Sequence, residues 1–119
     1  MQYMLLIHLD DAPFLAATDE QREAMTAPYA AYSEALIKAG AMVSGERLKH
    51  AAMSTVVRVR DDKTEVLDGP FADTKEQLGG YVVIEVPDLD TALSWAARCP
   101  AATYGAVEVR PVLDLSNQG

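Results

Sequence analysis

From Val66 to Val86 the chain reads VLDGPFADTKEQLGGYVVIEV, and few folds tolerate that order of parts. Val66 and Leu67 run into Asp68-Gly69-Pro70-Phe71, where glycine opens backbone angles closed to other residues and proline fixes its own φ. That is a turn with a mechanism. Thr74 to Leu78 is a short polar bridge, Gly79-Gly80 breaks the chain, and Tyr81 to Val86 is β-rich. A strand, a tight turn and a second strand are therefore set locally, and the rest of the chain must build a sheet around them.

Around this stretch the chain alternates strands and helices. Tyr3 to Leu9 is apolar on both parities, with Tyr3, Leu5, Ile7 and Leu9 on one face and Met4, Leu6 and His8 on the other, as in a strand buried on both sides. Asp10 to Ala17 reads as a loop containing Pro13. Thr18 and Gln21 fit a capping box, and Met25, Tyr29, Tyr32, Leu36 and Ile37 mark an amphipathic helix ending at Gly40. Pro28 leaves two readings open there, a kink or a shorter helix starting near Thr26. Ala41 to Leu48 is an irregular strand. Thr55 to Arg60 and Thr64 to Leu67, joined by Asp61-Asp62-Lys63, read as a hairpin. Asp88 caps a second helix in which Leu89, Ala92, Leu93 and Ala96 share a face, Pro100 ends it, and Ala106 to Val112 forms the last strand.

The sum is a βαββαβ frame with an inserted β-hairpin, an α+β ferredoxin-like sandwich spanning 1–113 as a single domain, with 114–119 as a C-terminal tail. Two helices cover one face of such a sheet, yet the first strand and Val82 to Val86 are apolar on both. The uncovered face calls for a partner, and the simplest is a second copy, giving a homodimer.

Charge and length narrow the function classes. A chain of 119 residues supports one domain, and its net charge of -8 repels phosphate backbones and acidic bilayers, so direct nucleic-acid binding and membrane association are disfavoured. The opening Met1 to Ile7 lacks a basic leader, and no run is long enough to span a bilayer. A lone cysteine, Cys99, cannot form an internal disulfide, which points to the cytoplasm. No Cys/His cluster with ligand spacing is present, so no metal is expected.

The string Asp68 to Tyr81, together with Val86-Pro87-Asp88-Leu89-Asp90, Trp95-Ala96, Cys99-Pro100, Val107 to Pro111 and the opening Tyr3 to Ile7, resembles the YCII-related family in its DGPF-domain branch over nearly the whole chain. The resemblance implies a dimeric α+β barrel with an active site between the facing sheets. It also implies two functional classes: a small-molecule enzyme working through a His/Asp pair without metal or organic cofactor, or a non-catalytic module that binds a small ligand or a sigma-factor-linked transcription partner. An acid/base histidine follows the first strand region in the YCII branch, and His8 is the comparable residue here. The DGPF branch often carries an aromatic residue at that point.

His8 and Asp68 are thus the candidate catalytic pair. Imidazole exchanges a proton near neutral pH, and a turn carboxylate can aim inward. His8 faces either the dimer cleft or the helices, and the ordinary role of Asp68 is to cap its own turn. Arg47 and Arg110 are candidates for gripping an anionic substrate group, and Phe71 and Tyr81 for lining an apolar pocket. Against each stands a plain alternative, surface pairing for the arginines and core packing for the aromatics. His50 sits in a loop with no spacing to His8 that suggests a ligand pair. Cys99, before Pro100, reads as a buried, inert thiol.

Overall fold

In the computed structural model, which describes residues 1–115, the elements in chain order are β1 Gln2–Leu9, α1 Ala12–Ala16, α2 Asp19–Lys38, β2 Met42–Arg47, β3 Thr55–Arg60, β4 Lys63–Asp68, β5 Gln77–Glu85, α3 Leu89–Arg98 and β6 Ala106–Pro111. Short 3-10 turns occupy Ala51–Met53 and Pro100–Thr103. Four strands form one antiparallel sheet in the order β2-β5-β1-β6, compatible with a ferredoxin-like α+β sandwich, while β3 and β4 pair in a sheet of their own.

The alternation along β1 decides the layers. Tyr3, Leu5 and Ile7 are buried beneath the helices with Val82 and Ile84 of β5, Tyr32 and Leu36 of α2, and Ala92 and Ala96 of α3. Met4, Leu6 and His8 point the other way and are half-buried. The molecule is 18 Å across its thinnest direction, room for one sheet and one helical layer. Among the described residues no helix covers the second sheet face.

Local chemistry sets the element ends. The Thr18 side chain accepts from the backbone N–H of Gln21 while Gln21 returns a bond to the N–H of Thr18, so the capping box forms as read. At the other end of α2, Gly40 takes φ +71°, the left-handed conformation that glycine adopts without a Cβ penalty. Of the two readings left open at Pro28, the shorter helix does not occur: α2 runs from Asp19 through Pro28 to Lys38. The stretch read as a loop after β1 contains a one-turn helix, α1, because Pro13 sits at its start, where its missing N–H costs no hydrogen bond. In α3 the Asp88 cap holds, at 2.8 Å to the N–H of Thr91, but Leu89 and Leu93 lie at the margin, each 47% exposed, and only Ala92 and Ala96 are buried. The short side chains let α3 lie close to the sheet.

The hairpin turns at Asp61 and Asp62, both with positive φ, and projects from the body with nearly every residue exposed. Val57 pairs with Val66 and Val59 with Thr64, so these β-branched side chains share one uncovered face. A two-stranded hairpin with no layer against it is only marginally stable in water.

One glycine is fixed by contact. A Cβ on Gly105 would stand 2.3 Å from the carbonyl oxygen of His8. Because both sides of that clash are backbone, Gly105→Ala is expected to destabilise the fold by about 1–3 kcal/mol, as overpacking does. Chemical denaturation checks it, and wild-type stability in the variant would show that this chain crossing is loose.

Candidate functional site

β1 and β2 both run antiparallel to β5, so they run parallel to each other and finish at the same end of the sheet. The segments that leave them therefore meet, although they lie about forty residues apart in sequence. Asp11, just past β1, makes no capping bond to its own helix. Its Oδ2 instead accepts from Nδ1 of His50 at 3.0 Å and from the backbone N–H of Ala51 at 3.3 Å. The same two segments touch a second time, where the guanidinium of Arg47 lies 5.4 Å from the centroid of the Phe14 ring.

This double contact closes one end of a groove on the helical side of the sheet. Its volume is about 1960 Å³, and its walls come from α1, the amino-terminal half of α2, β2 and the start of β5. Phe14, Met25, Tyr29 and Leu48 supply apolar surface, while Asp11, His50 and Arg47 converge as polar groups. An apolar hollow with a few fixed polar groups is the usual form of a small-molecule site. At this size it is an open trough that a small ligand fills only in part.

The hydrogen bonds fix what the groups can do. A carboxylate oxygen only accepts, so Nδ1 of His50 carries a proton; in the neutral imidazole Nε2 then keeps its lone pair, and among the described residues it has no partner. An oriented imidazole with a free Nε2 is a general base. No hydroxyl or thiol hydrogen-bonds to His50 among the described residues, so the histidine has no side-chain nucleophile to activate. Arg22 also lies 5.4 Å from the Phe14 ring, but it is occupied with the carbonyls of Phe14 and Leu15. Arg47 forms no ion pair among the described residues. Also along the groove the Tyr29 and Tyr104 hydroxyls are hydrogen-bonded to each other, and burial, followed by the Tyr104 bond, pushes the Tyr29 phenol far above its ordinary range. Tyr29 therefore stays protonated and neutral at working pH.

His8 faces away from the helices, on the uncovered sheet face. Its carboxylate partner is Glu108: Nε2 of His8 lies 3.0 Å from Oε1, and Arg110 Nη2 donates to Oε2 at 2.7 Å. The His8 bond first, and then the Arg110 bond, hold Glu108 below the usual carboxylate range. The pairing follows from strand register, since His8 lies opposite Ala106 and Glu108 is the next residue on that face of β6.

The residues singled out from sequence are thus distributed over three places. Arg47 lines the groove; Tyr81 stands opposite Leu6, so its side chain shares the open sheet face with His8 and Arg110, which meet at Glu108. Asp68 and Phe71 lie at the base of the hairpin, where Asp68 is exposed opposite Thr55 and Phe71 is 80% exposed with Arg58 stacked 5.3 Å from its centroid. No hydrogen bond or ion pair joins Asp68 to His8 among the described residues. Sequence reasoning passed over Asp11 and His50 because it looked for a partner to His8. The overlooked signal was topological: two strands ending at the same sheet edge bring together whatever follows each of them. Cys99 is buried, 2% exposed, as read, and burial pushes its thiol up. Among the described residues no group of three or more His, Cys, Asp or Glu side chains is placed to hold a metal ion, and no helix is long and apolar enough to cross a membrane.

Comparison with known proteins adds two findings. The model of the YCII-related domain matches residues 1–116. An uncharacterized protein of Rhizobium meliloti (strain 1021) is 33% identical over 114 residues, covering 94% of this chain and 92% of that protein.

Proposed function

The chain belongs to the YCII-related domain family, and from that membership together with the groove we propose that it is an enzyme that moves a proton on a small organic molecule using side chains alone. The observation that carries this reading is the Asp11–His50 pair at 3.0 Å on the wall of the groove. In the reaction a C–H bond of the substrate breaks, its electron pair passes into an adjacent carbonyl, and the proton moves to Nε2 of His50. The resulting imidazolium is stabilised by the Asp11 carboxylate and returns the proton elsewhere on the substrate. The net chemistry is an isomerisation that needs no oxidant and no acceptor.

The test is deuterium exchange. A panel of enolisable ketones, lactones and 2-oxo acids is incubated with the protein in deuterium oxide and followed by proton NMR. At least one member is expected to lose its acidic proton faster than in buffer. Saturable binding without exchange anywhere in the panel would reduce the protein to a ligand-binding module.

The open sheet face supports a second part of the proposal, a homodimer in which another copy covers Met4, Leu6 and Val83 and encloses the His8–Glu108–Arg110 chain. What supports it is a half-buried apolar strand surface with no helix over it among the described residues, and a hairpin whose valine face is exposed. In sedimentation the protein is expected to run as a dimer at micromolar concentration, and Leu6→Lys, which buries a charge in that contact, is expected to make it a monomer. A monomeric wild type would end this part and leave the groove untouched.

A further inference from the structure

From the Arg47 end of the groove we infer that the substrate is a small organic acid, a carboxylate attached to a flat apolar body. The inference builds on the base assigned to His50 and adds an anchor of its own. Arg47 has no internal carboxylate to neutralise it among the described residues, although acidic residues outnumber basic ones, 18 to 10, across the chain. Its guanidinium carbon lies 5.4 Å from the centroid of the Phe14 ring, and its N–H edges make no ion pair among the described residues, so they can pair with a planar carboxylate in bidentate fashion.

The groove also contains Glu23, Glu46 and Glu76, so its average potential does not select anions. Selection must come from that fork geometry at contact range, where screening over about 8 Å weakens the pull of more distant charges. Only Leu48 and Lys49 separate Arg47 from His50, so their Cα atoms stand at most about 10 Å apart and the two side chains serve the same end of the groove. Phe14, Leu48, Met25 and Tyr29 provide the apolar surface on which the body of the molecule would lie.

Phenylpyruvate has each required part: a carboxylate, a flat ring, and an acidic C–H between them. Its methyl ester differs only in the charge. Binding of both is measured by NMR titration, and exchange of the C3 proton in deuterium oxide is followed on the same samples. The wild type is expected to bind the acid at least tenfold more tightly than the ester. Arg47→Gln is expected to abolish that preference while leaving ester binding and the circular dichroism spectrum unchanged, because Arg47 is exposed and its loss does not open the core. His50→Gln is expected to lose exchange yet keep the preference for the acid. Equal affinity for acid and ester, a preference that survives Arg47→Gln, or no binding of either overturns the anchor. Exchange that survives His50→Gln while the preference still depends on Arg47 overturns the base and leaves the anchor standing.

Discussion

Replacing His50 with glutamine is expected to slow proton exchange on any substrate of this protein by about 10²–10⁴-fold, the usual contribution of a positioned general base. The amide can still donate to Asp11 and fills nearly the same space, so folding and ligand affinity should change little. What it cannot do is accept a proton with a lone pair like that of Nε2. Asp11→Asn should cost less, because the imidazole remains but its tautomer and orientation are no longer fixed by an acceptor-only partner and the backbone N–H of Ala51 loses a charged one. That order, with His50 the greater loss, separates a base and its positioning residue from a pair that merely ties two loops together. If thermal stability fell in both variants while exchange per folded molecule stayed constant, the pair would be a structural clasp.

Leu36→Ala carries the largest expected loss of stability, about 2–5 kcal/mol by urea unfolding. Leu36 is fully buried, and it shares with Tyr32 the task of fixing a twenty-residue helix whose other side chains are not buried. Tyr32 is held additionally by its hydroxyl, which donates to the carbonyl of Trp95 at 2.6 Å, and by an edge contact with the Trp95 ring. Truncating Leu36 leaves a hole between helix and sheet that little can fill. For a domain whose total stability is of order 5–15 kcal/mol, that is a large share. The adjacent Ile37, 62% exposed, provides the control, and Ile37→Ala should change stability by less than about 1 kcal/mol. The same helix carries Met25 and Tyr29 into the groove, so a loosened α2 should weaken ligand binding alongside stability. Equal effects from Leu36→Ala and Ile37→Ala would mean that α2 is not docked as described.

Much of the architecture could be read directly from residue patterns because it depends on neighbours in sequence. Thr18 with Gln21, Asp88 with Thr91 and Gly40 act within a turn or two of their own positions. The parity of Tyr3 to His8 already separated two sheet faces, leaving open which of them met the helices. The short helix α1 escaped notice because a single turn has no periodicity to detect. The burial expected of Leu89 and Leu93 failed because periodicity gives a face without giving its width.

The candidate site was legible only in fragments, and its residues show why. Arg47 and Tyr81 could be picked out as residues able to meet a ligand, but nothing in their vicinity indicates that Phe14 stacks on one of them or that His50 finds Asp11. His8 was recognisable as an acid/base group, whereas its partner is Glu108 rather than Asp68, because register across β1 and β6 decides who stands beside whom. The amino-acid sequence by itself settled most of the elements, their caps and the two-sided character of the central strands, since propensity and hydrophobic period act over a few residues. Tertiary structure alone decided which histidine acquired a carboxylate in a cavity, since that depends on two strands finishing at one sheet edge, a long-range geometry that no local interaction encodes.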